Sequence, residues 1–224
     1  MPKHKLPDKN FIWSANLAYI IGLLATDGNL SKNGRSIIMR SSDIQLLQTF
    51  KKCLNLFNKI EKTRNNGWAR KPSYRIQFGD VQFYRWLLKI GLFPAKTYTI
   101  GKLKIPNQYF RDFIRGHLDG DGSVWTYKDR WNTFKNPKYV YIRLWTRFYS
   151  ASEIHIQWIR EKIIKLIGIK GHIWKRNPLR ADQIATMREL KFAKKDSTKL
   201  LAWLYYNPDV PCLKRKREIA EKFI

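Results

Sequence analysis

Phe110-Arg111-Asp112-Phe113-Ile114-Arg115-Gly116-His117-Leu118-Asp119-Gly120-Asp121-Gly122 has a near copy upstream, Ile20-Ile21-Gly22-Leu23-Leu24-Ala25-Thr26-Asp27-Gly28. Aligning Ile20 with Ile114 places glycines at 22 and 116, aspartates at 27 and 121, and glycines again at 28 and 122. Each copy reads as a helix stopped by its last glycine, with Gly28 and Gly122 expected in the left-handed conformation. The aspartate then falls at the helix C-terminus, where unpaired carbonyls and the macrodipole disfavour a carboxylate. A positive group is needed beside it. Mg²⁺ prefers hard oxygen ligands and is commonly held by one or two carboxylates with water and phosphate, so two aspartates on matching helix ends imply a paired metal site. Gly22 and Gly116 each cost about 1 kcal/mol against alanine in a helix interior, which makes sense where two helix backbones must touch. Ala18, Gly22 and Thr26 share one face at four-residue steps, as do Gly116 and Gly120. Packing these faces together brings Asp27 and Asp121 to one end. Two buried helices with Asp-Gly turns account better for one copy than for both.

These residues resemble the two copies of the LAGLIDADG motif in single-chain homing endonucleases, and the resemblance covers nearly the whole chain. It implies an α+β fold of two pseudo-symmetric αββαββα halves packed through the motif helices, each with a curved antiparallel sheet forming a DNA-binding saddle. It also implies that the eighth residue of each copy, Asp27 and Asp121, binds the catalytic metal. The first copy departs at its sixth position, Ala25 against Asp119, so that position is not required for the chemistry. The halves are expected at 1–90 and 107–224, joined by a linker over 91–106 that Pro94 and Pro106 punctuate.

Composition supports a polyanionic partner. The 224 residues carry a net charge of +27, and with 44% hydrophobic and 14% aromatic residues the chain is too apolar for a disordered basic tail. Nucleic acid comes before an anionic membrane, because the longest mainly apolar run, 17–25, is far short of the roughly 20 residues a spanning helix needs. Lys3 and Lys5 ahead of 11–25 resemble a signal peptide, but the same segment type recurs at 107–122 and is read as structure. Cys53 and Cys212 suit neither a disulfide framework nor a zinc site. They fit a reducing intracellular compartment, organelle or microbial cytoplasm. His4, His117, His155 and His172 show no ligand spacing and read as surface or packing residues.

Along the chain, Ser14 caps the first motif helix. Residues 30–41 form a hairpin around Asn33-Gly34. Ser42 or Asp43 caps a helix bearing Leu46, Leu47, Phe50, Leu54 and Phe57. Residues 60–64 and 73–78 form a second hairpin, and Phe83, Trp86, Leu87 and Ile90 mark another helix. The order then repeats: Asn107 opens the second motif helix, 123–127 and 138–150 pair across a longer loop at 128–137, and Ser152 or Glu153 caps a helix with Ile156, Ile159, Ile163, Ile164 and Ile167. Strands at 172–176 and 184–192 and a helix at 198–206 complete the half.

The strand over 139–150 alternates. Val140, Ile142, Leu144 and Phe148 are expected toward the core, and Tyr141, Arg143, Trp145, Arg147 and Tyr149 away from it. Arginines on such a face suit a DNA groove, where they bond guanine bidentately. Arg40, Lys62, Arg64, Arg75, Gln77, Trp174, Arg176, Arg188 and Lys191 supply similar positions on the other strands. The resemblance implies sheets lying along the major groove of double-stranded DNA and an asymmetric site read by a monomer, with affinity that falls steeply with salt.

Phosphodiester hydrolysis at the two aspartates needs divalent metal. Mg²⁺ is expected, with Mn²⁺ substituting and Ca²⁺ binding without supporting cleavage. The resemblance implies cutting across the minor groove with short 3′ overhangs and a role in the spread of a host intron. A lysine beside the centre would stabilise developing charge, and Lys194 is the candidate. Glu189-Leu190-Lys191 suits another nuclease superfamily, but Pro208-Asp209 follows it in the wrong order. Lys214-Arg215-Lys216-Arg217 reads as a nuclear address or a solvated helix face with Leu213, Ala220 and Phe223 inward. The competing functions are an intron RNA maturase and a DNA-binding regulator that does not cut.

Overall fold

The computed structural model describes residues 11–63, 72–176 and 186–224. The first half runs α1 (Ala15–Thr26), β1 (Gly28–Leu30), β2 (Ser36–Ser41), α2 (Ile44–Cys53), β3 (Ile60–Lys62), β4 (Tyr74–Gly79) and α3 (Val81–Ile90). The second runs α4 (Phe110–Asp121), β5 (Ser123–Asp129), β6 (Tyr141–Ser150), α5 (Glu153–Ile167), β7 (His172–Arg176), β8 (Met187–Phe192) and α6 (Lys194–Leu204), with α7 (Lys214–Ala220) appended. The order αββαββα therefore occurs twice. Each half folds an antiparallel four-stranded sheet, ordered β1-β2-β4-β3 and β5-β6-β8-β7.

The two motif helices are the centre. Ser14 Oγ accepts a hydrogen bond from Leu17 N at 3.1 Å and starts α1. Every residue from Ala18 to Leu24 is buried, so α1 has no solvent face along that stretch, as expected of a helix that is apolar all round. Its contact with α4 is the most extensive between helices. A Cβ at Gly22 would lie 2.2 Å from Phe113 O, and one at Gly116 would lie 2.0 Å from Tyr19 O. The helices thus meet backbone to backbone, as their small faces predict. One hydrophobic core continues through this seam into both halves.

Local signals set most of the remaining elements. Asp43 Oδ1 caps α2 through Gln45 N at 3.1 Å, Asp80 caps α3 through Phe83 N, and Ser152 caps α5 through His155 N. Gly91 at φ 105° and Gly168 at φ 69° close α3 and α5 in the left-handed region that glycine enters without a steric cost.

Several expectations fail. Gly28 is not in the left-handed region, and Gly122 is extended at φ −84° and ψ 173°. They are glycines for lack of room: a Cβ at Gly28 would lie 2.6 Å from Leu24 Cα, and one at Gly122 would lie 2.7 Å from Leu118 O. Phe57 is 94% exposed, because α2 ends at Cys53 and Asn55 turns the chain at φ 50°. On β6 the core face begins only at Leu144; Val140 and Ile142 are exposed, where the strand runs out past the helices. Arg64 lies outside the described residues.

Candidate active site and nucleic-acid interface

Asp27 follows the last residue of α1, with its backbone N–H on Leu23 O, and Asp121 is the last residue of α4. The helix seam brings them to one place: a Cβ on Gly120, next to Asp121, would lie 2.0 Å from Thr26 Oγ1 and 3.2 Å from Asp27 Oδ2. Asp27 is half-buried and Asp121 is exposed, so both reach solvent. Among the described residues, no hydrogen bond or ion pair reaches either carboxylate. Desolvation, and then the charge of Asp121, push Asp27 up to about 7. Asp121 is raised as well, chiefly by desolvation. Two carboxylates that share a site and lack partners resist ionising together.

The positive charge beside them comes from Lys96 and Lys216. Lys216, on α7, is 3% exposed. Its Nζ donates to Leu118 O, to Asp119 O at 3.0 Å and to Gly122 O at 2.6 Å, so it satisfies the open carbonyls at the end of α4. Lys96 is 6% exposed, in a single 3-10 turn after α3, and its Nζ donates to Gly28 O. Gly28 and Gly122 are equivalent positions in the two motifs, so each half closes on its own lysine. The charges act crosswise: Asp27 feels Lys216 more than Lys96, and Asp121 feels Lys96 more than Lys216. Burial pulls both lysines down to about 8 against the pull of the aspartates.

Lys194 is not among the charges that act on either aspartate. Its Nζ stands 4.7 Å from the Tyr141 ring centroid and 5.8 Å from that of Phe223. The basic run at 214–217 also reads differently, since Lys216 is buried on the face it shares with Leu213 and Ala220. That face was legible: 216 is three residues after 213 and four before 220. Lys96 carried no comparable signal, because the irregular path after Gly91 places it.

Asp119 is buried. Its Oδ2 accepts from Tyr19 Oη at 2.9 Å and from Leu213 N at 2.8 Å, so it ties α1 and the C-terminal segment to α4. Burial raises it to about 6. Arg115, also buried, donates to Asp112 Oδ1, Leu204 O and Pro211 O and fastens the same segment.

The sheets turn their outer faces away from the helices. By register, Asn29, Ile38, Arg40, Glu61, Arg75 and Gln77 share the open face of the first sheet, with Arg75 paired to Glu61 at 3.0 Å. Lys62 stands opposite Tyr74, in line with Ile60 and Ile76, and so lies on the other face. The open face of the second sheet carries Tyr141, Arg143, Trp145, Arg147, Tyr149, Trp174, Arg176 and Lys191, as expected. It also carries Trp125, Tyr127 and His172, which sequence reasoning missed, and Glu189, which draws in Arg147 at 3.2 Å and Arg176 at 2.7 Å. Arg188 has the parity of Leu190 and Phe192; it lies on the helix side, paired with Glu153.

Fold and site together define a single chain of two similar αββαββα halves that meet through paired helices, each helix ending at an aspartate. Residues 14–91 match the family model described as a LAGLIDADG-like domain. The fold is shared with the I-LtrWI LAGLIDADG homing endonuclease bound to target DNA, at 12% identity and TM-score 0.60, over 93% of this chain and 88% of that one. It is shared with a variant of I-DmoI in complex with its target DNA in the presence of 2 mM Mn, at 14% identity and TM-score 0.53, over 88% and 96%. It is also shared with full-length DUF199/WhiA from Thermatoga maritima, at 16% identity and TM-score 0.54, over 96% of this chain and 62% of that one. No curated protein matches in sequence. Among the described residues no helix is long and apolar enough to cross a membrane.

Proposed function

We propose that the chain is a metal-dependent, site-specific DNA endonuclease that works as a monomer on a long asymmetric duplex. The observation that carries this reading is the pair Asp27 and Asp121, held together at the ends of abutting helices and without a hydrogen bond or ion pair among the described residues. Halves at 1–90 and 107–224, joined through 91–106, would each read one half-site with the open face of a sheet. Arg40, Arg75, Gln77, Arg143, Arg147, Arg176 and Lys191 supply the bonding groups for base edges and phosphates.

Among the described residues no group of three or more His, Cys, Asp or Glu stands ready to hold an ion. The two carboxylates nevertheless fit a hard divalent cation that takes its other ligands from water and phosphate. Mg²⁺ suits them, with Mn²⁺ as substitute and Ca²⁺ as a ligand that does not support cutting. Such an ion, when bound, supplies an activated water and charge for the leaving oxygen. The rest falls to the chain. Asp27 and Asp121 would hold that ion at the meeting point of the two helix ends, where a phosphate could complete its ligand set. Lys216 spends its donors on three carbonyls and positions the end of α4. Lys96 donates to one carbonyl, Gly28 O, and its charge acts on both aspartates, where it would stabilise charge developing on the leaving oxygen. We assign this role to Lys96 in place of Lys194. Short 3′ overhangs and the spread of a host intron belong to the same proposal.

Digestion of a randomised duplex library with Mg²⁺ tests it, comparing the wild type with Asp27→Asn and Asp121→Asn. Cutting by the wild type that either substitution removes supports the nuclease. Tight binding without any cut points to a regulator. Rescue of intron splicing points to a maturase.

A further inference from the structure

The two open faces are chemically unequal. Among the described residues, the strands of the first sheet present no aromatic ring on that face. The second presents Trp125, Tyr127, Tyr141, Trp145, Tyr149 and Trp174. Trp125 is 47% exposed and Trp174 is 56% exposed, a costly display for rings that only shape a surface. Cations sit against them: Lys191 Nζ is 3.7 Å from the Trp145 centroid, Arg143 lies over Tyr141 at 5.0 Å and Arg176 over Tyr149 at 5.5 Å. A cavity of about 420 Å³ is walled by Trp145, Lys170, His172, Trp174, Lys191 and Asp196, within the roughly 300–1,000 Å³ of small-ligand sites.

A paired duplex offers base edges to a sheet in its groove, and its base faces are already stacked on one another. Ring faces find their partners in bases that have left the stack. Trp125 and Tyr127 stack on each other with ring centroids 4.9 Å apart, so together they form a platform on which an unpaired base can stack from outside. The chain's surplus of +27 supplies the attraction for the backbone.

We propose that the second sheet binds an unpaired nucleotide strand by stacking, with one base seated in the cavity between Trp145 and Trp174, while the first sheet reads only duplex. The inference rests on the open faces being a nucleic-acid interface, and it does not require cleavage.

The test is binding of the full chain, at fixed salt, to a mixed-sequence single-stranded DNA 12-mer, the same sequence as RNA, and the corresponding duplex. Trp125→Ala and Trp174→Ala should each weaken single-strand binding by roughly 5- to 150-fold, the range that base stacking spans, and duplex binding far less. Trp125→Phe should restore most of the loss. DNA and RNA arms that respond alike assign the site to unpaired bases in general; an RNA-only response assigns it to RNA. Equal weakening toward duplex and single strand, or no weakening of either, overturns the proposal while leaving duplex recognition standing. Failure to bind any of the three overturns the interface reading itself.

Discussion

Lys216 Nζ lies 2.6 Å from the carbonyl oxygen of Gly122, on the far side of the residue that follows Asp121. This bond, with those to Leu118 O and Asp119 O, makes a buried ammonium the C-terminal cap of α4. The arrangement answers the electrostatic question the sequence poses: the negative end of the motif helix is compensated by a side chain from a separate helix, and the aspartate stays open for a ligand.

Replacing Lys216 with methionine keeps the volume and removes the donors. Three carbonyls would lose their partner, and a charge-assisted hydrogen bond contributes about 1.5–3 kcal/mol. Relief from burying the ammonium offsets part of that loss. Urea unfolding should show Lys216→Met destabilised by about 2–4 kcal/mol. A change within 0.5 kcal/mol would mean that the cap is ornamental.

The helix seam gives a second prediction. Gly116→Ala would set a methyl 2.0 Å from Tyr19 O, a backbone atom in the facing helix. Neither helix can yield without separating the aspartates. We expect a loss of about 3 kcal/mol or more, with cleavage falling further than stability explains. Gly101→Ala is the control, since nothing lies within 4 Å of its added Cβ and its φ is not positive; it should change stability by less than about 0.5 kcal/mol. Thermal melting of the two variants side by side would decide.

The motif helices, hairpins and caps were legible because each rests on short-range regularity: a four-residue step of small side chains, an Asn-Gly turn, a capping oxygen. What escaped depends on strand parity or chain path. Lys62 and Arg188 sit one position off the face they were expected on, and in a strand one position is the whole distance between groove and core. Leu190 and Phe192 already implied the side of Arg188. Trp125 and Tyr127 carry no signal of their own, because β5 shows in the sequence only as the short arm of a hairpin. Lys96 had no pattern to betray it, being placed by the turn at Ala95, whose φ is 55°.

A third prediction concerns pH. His117 and His155 are buried with ring centroids 5.4 Å apart, and His155 Nδ1 is 2.8 Å from Gly101 O. Burial foremost holds His155 down at about 4 and His117 well below its usual value. Both are neutral in the folded protein, while the unfolded chain takes up protons near pH 6.5. Their contribution to stability is therefore complete above about pH 6.5 and is lost as pH falls toward 4. Between pH 7 and pH 5 each ring should cost about 2 kcal/mol. Raised carboxylates such as Asp119 work in the opposite sense, so the readout is the difference between variants. His155→Gln should lose about 2 kcal/mol less than the wild type over that interval in urea titrations. Parallel pH curves would contradict it.

The last prediction separates function from stability at Asp27. Its carboxyl shares a half-buried site with Asp121 and receives no hydrogen bond among the described residues, so its charge is a burden on the fold when no cation is bound. A side chain retained at a cost to the fold belongs to function, and removing it should stabilise. Asp27→Asn should raise stability by about 1 kcal/mol in chelator at pH 8, a modest figure because the site is open to solvent on one side. Adding Mg²⁺ should then stabilise the wild type more than the variant, since only the wild type keeps both carboxylates to bind it. Duplex affinity in chelator should hold or improve as a negative charge leaves the interface. A variant that melts lower than the wild type would show that Asp27 holds the fold together instead, and the assignment of the pair as a metal site would lose its main support.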